Sequence, residues 1–185
     1  MNVVVFVSRN KDNKEVKDFK ERRNAFITDL PSDSPELLKK FNYFVNEGKD
    51  GELSRFYYSV NKRDETKVYK ALLHELIDNP DIHLWNLEAK VASIAAQKAC
   101  AGEKRWLYDF DIDDENKVNE FKNDIITIDP EVEVTIYKTL HGYAVVTSRG
   151  FDVRKIDEKW PKEFVTLKKD DLLFIKASTK DYMIC

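Results

Sequence analysis

The chain has 185 residues, of which 42% are hydrophobic and 35% are charged, with five glycines and five prolines. This composition predicts a folded, helix-rich chain with a sizeable core and excludes a disordered or low-complexity protein. The formal net charge of −3 argues against a general nucleic-acid coat protein. The two cysteines lack metal-ligand spacing, and no segment is apolar enough for a signal peptide or a membrane span, so we expect a cytoplasmic protein that contacts no membrane.

The N-terminal half of the sequence predicts a module of strands and helices. Its strands are runs of β-favouring residues, and its helices carry apolar residues at spacings of three and four. Asp64 is placed to cap one helix, and Asn79-Pro80 is placed to end it. In chain order, the expected elements are a strand at 3–8, a charged turn or helix at 9–24, a helix from about 35, a strand at 53–60, and helices over about 64–79 and 84–100.

From residue 104 onward the pattern changes to shorter strands with two helical segments between them. The order β-α-β-β-α-β is that of the split βαβ, or ferredoxin-like, unit. The expected elements are a strand at 105–112, a helix at about 114–125, strands at 132–139 and 143–147, a helical or irregular segment at about 151–159, and a strand at 164–168 followed closely by 172–175.

These patterns together predict an α+β protein. A ferredoxin-like, RRM-like βαββαβ unit over about 104–176, called the palm below, is expected to pack with the N-terminal αβ module. Residues 1–185 are expected to form a single domain, with one module at about 1–100 and a palm-like catalytic module at about 101–185. This fold serves many functions, so function has to be inferred from individual side chains.

The first palm strand ends in two closely spaced carboxylates, Asp109 and Asp111. Side chains two residues apart leave the same face of a strand, so these two acids are expected to lie side by side. A divalent cation, Mg²⁺ or Mn²⁺, is the usual partner of such a pair, with a bound nucleotide completing its shell. The alternative is a strand that ends in a polar loop, in which Asp113 or Asp114 caps the next helix.

A third acid is expected from the far end of the palm. The first and last strands of a split βαβ unit are neighbours, so Asp170 or Asp171 would approach the first two acids. Asp109, Asp111 and Asp170 are therefore the predicted metal ligands and catalytic residues of a two-metal site for phosphoryl chemistry. The competing interpretation of segment 168–171 is an ordinary turn between strands.

Basic residues near the turn after residue 138 are candidates for binding phosphate. A glycine-containing turn with Lys138, Thr139 and His141 can hold a phosphate through backbone N–H groups and positive charge. Arg149 and Arg154 follow a strand that faces the same region, and arginine suits bidentate phosphate binding. A polar hairpin turn and surface salt bridges are the competing interpretations of these residues.

Five short segments, in order along the chain, are similar to archaeo-eukaryotic primases and primase-polymerases. Residues 104–111 resemble that family's Asp-hydrophobic-Asp strand, and residues 138–146 resemble its second motif, a glycine turn followed by an aromatic residue and a strand. The other similar segments are 55–61 in the N-terminal module, 151–154, which resembles small viral members, and 168–173, where the third acid is expected.

The resemblance implies template-directed nucleotidyl transfer in DNA replication, with two metals held by aspartates and a triphosphate held by basic residues. The implied partners are nucleoside triphosphates and single-stranded or primed nucleic acid. A separate helicase would be a further partner, because the sequence has no helicase domain and no cysteine-rich zinc module. A viral member would act in the host cytoplasm.

One position departs from the family's second motif. The family has a histidine directly after the aromatic residue, where it contacts the phosphates of the incoming nucleotide, and this chain has Ala144. His141 lies three residues earlier, in the turn. A non-catalytic derivative of the fold that binds nucleotides or nucleic acid is therefore the first alternative function.

A different metal-dependent phosphoryl enzyme, a nuclease or a phosphatase, is the second alternative. The sequence Asp109-Phe110-Asp111 resembles the Asp-x-Asp motif of haloacid dehalogenase-type phosphatases. Those proteins need Thr or Val two residues after the second acid, where this chain has Asp113, and they need a parallel α/β sheet.

Overall fold

The computed structural model describes residues 1–180, which form two four-stranded antiparallel sheets with helices packed against them. The strands are β1 (Asn2–Ser8), β2 (Arg22–Thr28), β3 (Ser54–Ser59), β4 (Trp106–Phe110), β5 (Val134–Lys138), β6 (Tyr143–Thr147), β7 (Val165–Lys169) and β8 (Leu172–Ser178). The helices are α1 (Pro35–Asn46), α2 (Glu65–Asp78), α3 (Leu87–Ala95), α4 (Glu115–Ile128) and α5 (Arg154–Lys159). The predicted α+β class is confirmed, and Cys185 lies outside the described residues. Within residues 1–180, no helix is long and apolar enough to cross a membrane.

The first sheet has the strand order β2-β1-β3-β8 and packs against helices on both faces. All seven residues of β1 are buried, because successive side chains enter two different cores. Val4 and Phe6 pack with Phe41 of α1, whereas Val5 packs on the opposite face, in the core that contains Ile94 of α3. The end of β1 is therefore held in a fixed position.

The strand β2 differs from the sequence prediction, which places a charged turn or helix over residues 9–24. It begins with Arg22 and Arg23 and lacks a regular alternation of apolar and polar residues. The strand forms because it pairs with β1 along its whole length, at the edge of the first sheet. Edge strands tolerate charged side chains, which explains why this strand can begin with two arginines ahead of Ala25, Phe26 and Ile27.

The second sheet, called the palm sheet below, has the strand order β5-β6-β4-β7. Strand β4 pairs antiparallel with β6 on one side and with β7 on the other, which is the arrangement of a split βαβ unit. Helices α4 and α5 cover one face, where Tyr108 and Phe110 pack with Phe121 and Trp160. The opposite face of β4, which carries Leu107, packs with residues of the first sheet.

The chain leaves the palm sheet after β7. Lys169 has a left-handed backbone conformation with φ of 57°, and β8 then pairs antiparallel with β3 of the first sheet. The sequence prediction keeps residues 172–175 within the palm, so the structure differs here. The physical reason is that β8 is apolar on both faces: Leu172 packs in a core of the first sheet, and Leu173 packs between the two sheets.

A buried polar cluster joins the two sheets where β7 leads into β8. Arg63 Nη1 donates to Asp170 Oδ2 at 2.7 Å, and these side chains are only 2% and 10% exposed. The Asn61 side chain donates to Asp170 Oδ1 and to the carbonyl of Arg105, and it accepts a hydrogen bond from the Arg105 N–H. Because Arg105 immediately precedes β4, this cluster fixes the first sheet against the palm sheet.

Candidate active site

A cleft of about 530 Å³ lies between the first sheet and the palm sheet. Residues at the ends of β1 and β3 line one side, and residues of β4, β6 and the β5–β6 turn line the other. A cavity of this volume is in the range that holds small-molecule ligands and cofactors.

Three carboxylates line the palm side of this cleft: Asp109, Asp111 and Asp171. Asp109 and Asp111 leave the same face because they are two residues apart along β4 and its extension, where the Asp111 N–H donates to the Phe164 carbonyl. Asp171 comes from the link between β7 and β8. The topology thus brings acids from both ends of the palm to one cavity.

Asp109 is in an unfavourable electrostatic position. Burial raises the pKa of its carboxyl above the usual range, and the negative charges of Asp111 and Asp171 raise it further. Lys168, whose Nζ lies 3.9 Å from Asp109 Oδ2, lowers the pKa and only partly offsets these effects. Like charges that repel one another in this way are stabilised by a bound cation, so the palm side of the cleft is chemically suited to one.

These carboxylates suit an open metal site, in which the protein supplies only some of the ligands, and not a site in which the protein supplies them all. Within residues 1–180, no group of three or more His, Cys, Asp or Glu side chains is placed to hold an ion by itself. Mg²⁺ usually keeps several waters and binds through one or two carboxylates together with substrate phosphates. Asp109 and Asp111 fit a site of that type, in which a nucleotide supplies further oxygen ligands.

Asp170 does not line the cleft, although the sequence predicts it as a metal ligand and catalytic residue. Its carboxylate accepts hydrogen bonds from Arg63 and Asn61 in the cluster that joins the sheets. The chain changes sheets at this turn, so its two aspartates point in different directions and Asp171 faces the cleft instead. We therefore place Asp171, in the position predicted for Asp170, as the third acid of the candidate site.

Ala144 lies directly opposite Asp109 in the pairing of β4 with β6, and it lines the cleft. The position at which the primase resemblance expects a histidine is therefore beside the carboxylates, and it carries only a methyl group. Thr139 and His141, which the sequence predicts to bind phosphate, also line the cleft. His141 therefore lines the cleft from the β5–β6 turn, whereas the histidine that the resemblance expects would lie on β6.

The side chains of Lys138, Arg149 and Arg154 do not line the cleft, although the sequence predicts that they bind phosphate. Arg149 lies beyond the far end of β6, and that end is about 16 Å along the strand from the β5–β6 turn. Arg154 begins α5, which packs on the opposite face of the palm sheet. Acidic neighbours pair with all three: Lys138 with Asp113, Arg149 with Asp129 and Glu131, and Arg154 with Asp152.

Four other basic residues line the side of the cleft that faces the carboxylates: Arg9, Lys11, Arg23 and Arg55, called the basic wall below. Arg23 and Arg55 both pair directly with Val7 of β1, so they leave the same face of the first sheet. Sequence reasoning missed this wall because its members come from the turn after β1, from β2 and from β3, which meet only through strand pairing. One available signal was the two-residue period of β1, which continues into Arg9.

No protein-family model, no curated protein and no solved structure matches this chain. A functional conclusion has to come from the cleft and the side chains that line it.

Proposed function

We propose that the chain is a metal-dependent nucleotidyltransferase of the primase-polymerase type that acts in DNA replication. The observation that carries this proposal is the position of Asp109, Asp111 and Asp171 on one side of a nucleotide-sized cleft, where burial and then repulsion raise the pKa of Asp109. The basic wall supports it by supplying positive charge on the other side. The strand order of the palm sheet also fits the fold that the sequence resemblance implies.

In the proposed reaction, a primer 3′-hydroxyl oxygen forms a bond to the α-phosphorus of a nucleoside triphosphate. The bond from that phosphorus to the bridging oxygen breaks, pyrophosphate leaves with the electron pair, and the hydroxyl proton passes to solvent. A bound Mg²⁺ or Mn²⁺ would supply Lewis-acid stabilisation of the developing charge. Asp109 and Asp111 would hold the ion at the end of β4, and Asp171 would add negative charge on the same side of the cleft.

Incorporation of labelled nucleotides on a nucleic-acid template tests the proposal. We expect the chain to extend a primed or unprimed single strand with Mg²⁺ or Mn²⁺, and to lose this activity in the Asp111→Asn variant. The matched control is Asp113→Asn, because Asp113 is exposed at the same strand end and does not line the cleft. Failure to incorporate ribonucleotides and deoxyribonucleotides on several templates with either metal would contradict the proposal.

The second candidate function is a non-catalytic derivative that binds nucleotides or nucleic acid. Ala144 favours this alternative, because the position opposite Asp109 offers no side-chain hydrogen-bond donor to a phosphate. The alternative predicts nucleotide binding without turnover. Calorimetric binding, measured beside the incorporation assay, therefore distinguishes the two functions.

Replacing Ala144 with histidine is expected to strengthen nucleotide binding. The imidazole would enter the cleft beside Asp109, where it can donate to a phosphate oxygen. A hydrogen bond to a charged group contributes about 1.5–3 kcal/mol, so we expect a gain of about tenfold or more in affinity, and faster incorporation if the chain is active. Titration calorimetry with a nucleoside triphosphate measures this effect.

The control for this substitution is Thr135→His. Thr135 is exposed on the edge strand β5, away from Asp109, and does not line the cleft, so its replacement should not increase affinity. Unchanged affinity in an Ala144→His variant that keeps its melting temperature would contradict a phosphate position beside β6.

A further inference from the structure

The basic wall contains a buried arginine whose hydrogen-bonding capacity is only partly used. The side chain of Arg55 is 9% exposed and lines the cleft. Its Nη2 donates to Asp12, and its buried Nε has no hydrogen-bond partner within residues 1–180. Buried polar groups in proteins are nearly always paired, so this unpaired donor shows that the neighbours of Arg55 do not fully satisfy its guanidinium group.

Asp12 is shared between two arginines. One of its oxygens accepts from Arg55, and the other accepts from Arg9 Nε at 3.0 Å. Burial alone would raise the pKa of Asp12, but hydrogen bonds and charges from the two arginines outweigh burial and hold the pKa below its usual range. One carboxylate thus keeps two guanidinium groups close together at the cleft, and the trio retains a positive charge.

Lys11 and Arg23 extend the same wall. Both side chains are exposed and line the cleft, and neither forms an ion pair with another of the described residues. Glu21 is the acid on this side, and its carboxylate accepts a hydrogen bond from the backbone N–H of Asn10. Unpaired cations beside a preorganised pair of arginines give this side of the cleft several donors for one anion.

We propose that the basic wall binds the polyphosphate tail of a nucleotide. This proposal rests on the nucleotidyltransferase function proposed above and specifies how that site holds its substrate. Arginine matches phosphate oxygens in bidentate geometry. Arg9 and Arg55 are held together by a single carboxylate, which suits the adjacent phosphates of one polyphosphate better than the spaced phosphates of a nucleic-acid strand. Lys11 and Arg23 add charge at the exposed edge.

This assignment differs from the sequence prediction, in which Lys138, Arg149 and Arg154 contribute to the phosphate site. Those three side chains pair with acids away from the cleft. With carboxylates on one side and the basic wall on the other, a nucleotide lies across the cleft. Its terminal phosphates then contact the first sheet, and its α-phosphate lies nearest the palm acids.

Titration calorimetry with inorganic tripolyphosphate, without divalent metal, tests the proposal on the full chain independently of catalysis. We expect the double variant Lys11→Gln/Arg23→Gln to bind about tenfold more weakly, because two unpaired cations are lost. Both side chains are exposed, so this variant should fold. Arg55→Lys keeps the charge but loses the planar fork, and it should also weaken binding.

Matched controls are Lys138→Gln and Arg149→Gln, which remove the same charges outside the cleft and should leave tripolyphosphate affinity unchanged. Loss of binding in these controls, with Lys11→Gln/Arg23→Gln unaffected, would overturn the proposal. It would also be overturned if the wild-type chain binds no tripolyphosphate, or if these residues bind only a single-stranded oligonucleotide.

The two proposals can fail separately. Tripolyphosphate binding that depends on the basic wall, without any nucleotide incorporation, would support the anion site and contradict the nucleotidyltransferase. If Lys11→Gln/Arg23→Gln incorporates nucleotides at the wild-type rate and binds them with the wild-type affinity, only the role of the basic wall is contradicted.

Discussion

Replacing Asp109 with asparagine is expected to reduce metal-dependent nucleotide incorporation about a thousandfold. Asparagine keeps the size of the side chain but removes the negative charge that would hold a cation beside Asp111 and Asp171. A metal ion contributes several kcal/mol to transition-state stabilisation, and a loss of about 4 kcal/mol corresponds to about a thousandfold in rate. Single-turnover incorporation measures the effect, with Asp113→Asn as the control that should retain activity.

The same substitution is expected to raise stability at neutral pH, because the folded-state pKa of Asp109 is raised by burial and then by Asp111 and Asp171. A carboxyl of this kind contributes stability that is fully present below its unfolded pKa, about 3.9, and is lost as the pH rises through its folded pKa. Asparagine does not titrate and avoids that loss. The melting temperature of Asp109→Asn should therefore exceed that of the wild type at neutral pH, and the difference should close in acid.

Metal addition provides a further measurement on the same pair of proteins. A ligand that binds only the folded state at about 100 times its Kd adds about 2.7 kcal/mol to stability. We expect Mn²⁺ to raise the melting temperature of the wild type and to have little effect on Asp109→Asn. A variant that is less stable than the wild type at neutral pH, and that responds to Mn²⁺ as the wild type does, would contradict the metal role of Asp109.

Short-range patterns in the sequence are sufficient to predict the palm and one side of its cleft. The side-chain period of a strand places Asp109 and Asp111 on the same face, and both line the cleft. The fixed strand order of a split βαβ unit predicts that β4 and β7 are neighbours, as the structure has them. These features depend on local geometry and on the order of elements, which the sequence contains directly.

Features that depend on pairing between distant segments could not be predicted in this way. Arg23 on β2 and Arg55 on β3 both lie beside Val7 of β1, so they meet in the basic wall only through long-range strand pairing. Asp170 and Asp171 are adjacent in the sequence and chemically identical. The passage of the chain from the palm sheet to the first sheet decides which of them meets Arg63.

Breaking the ion pair between Arg63 and Asp170 should destabilise the fold by about 3–5 kcal/mol, because it leaves a buried charge without its partner. The two side chains are 2% and 10% exposed, and the Asn61 side chain also donates to this carboxylate. We expect Asp170→Ala to lower the urea midpoint strongly. Arg149→Ala, which removes an ion pair at the surface, should change it little.

Further variants separate this structural role from the catalytic role that the sequence predicts for Asp170. Replacing both partners with apolar residues, Arg63→Met with Asp170→Leu, should cost much less than either single change, because no unpaired buried charge remains. Incorporation retained by that double variant and lost in Asp171→Asn would identify Asp171 as the third acid. If Asp170→Asn instead abolishes metal binding while stability changes by less than about 0.5 kcal/mol, the assignment to Asp171 is contradicted.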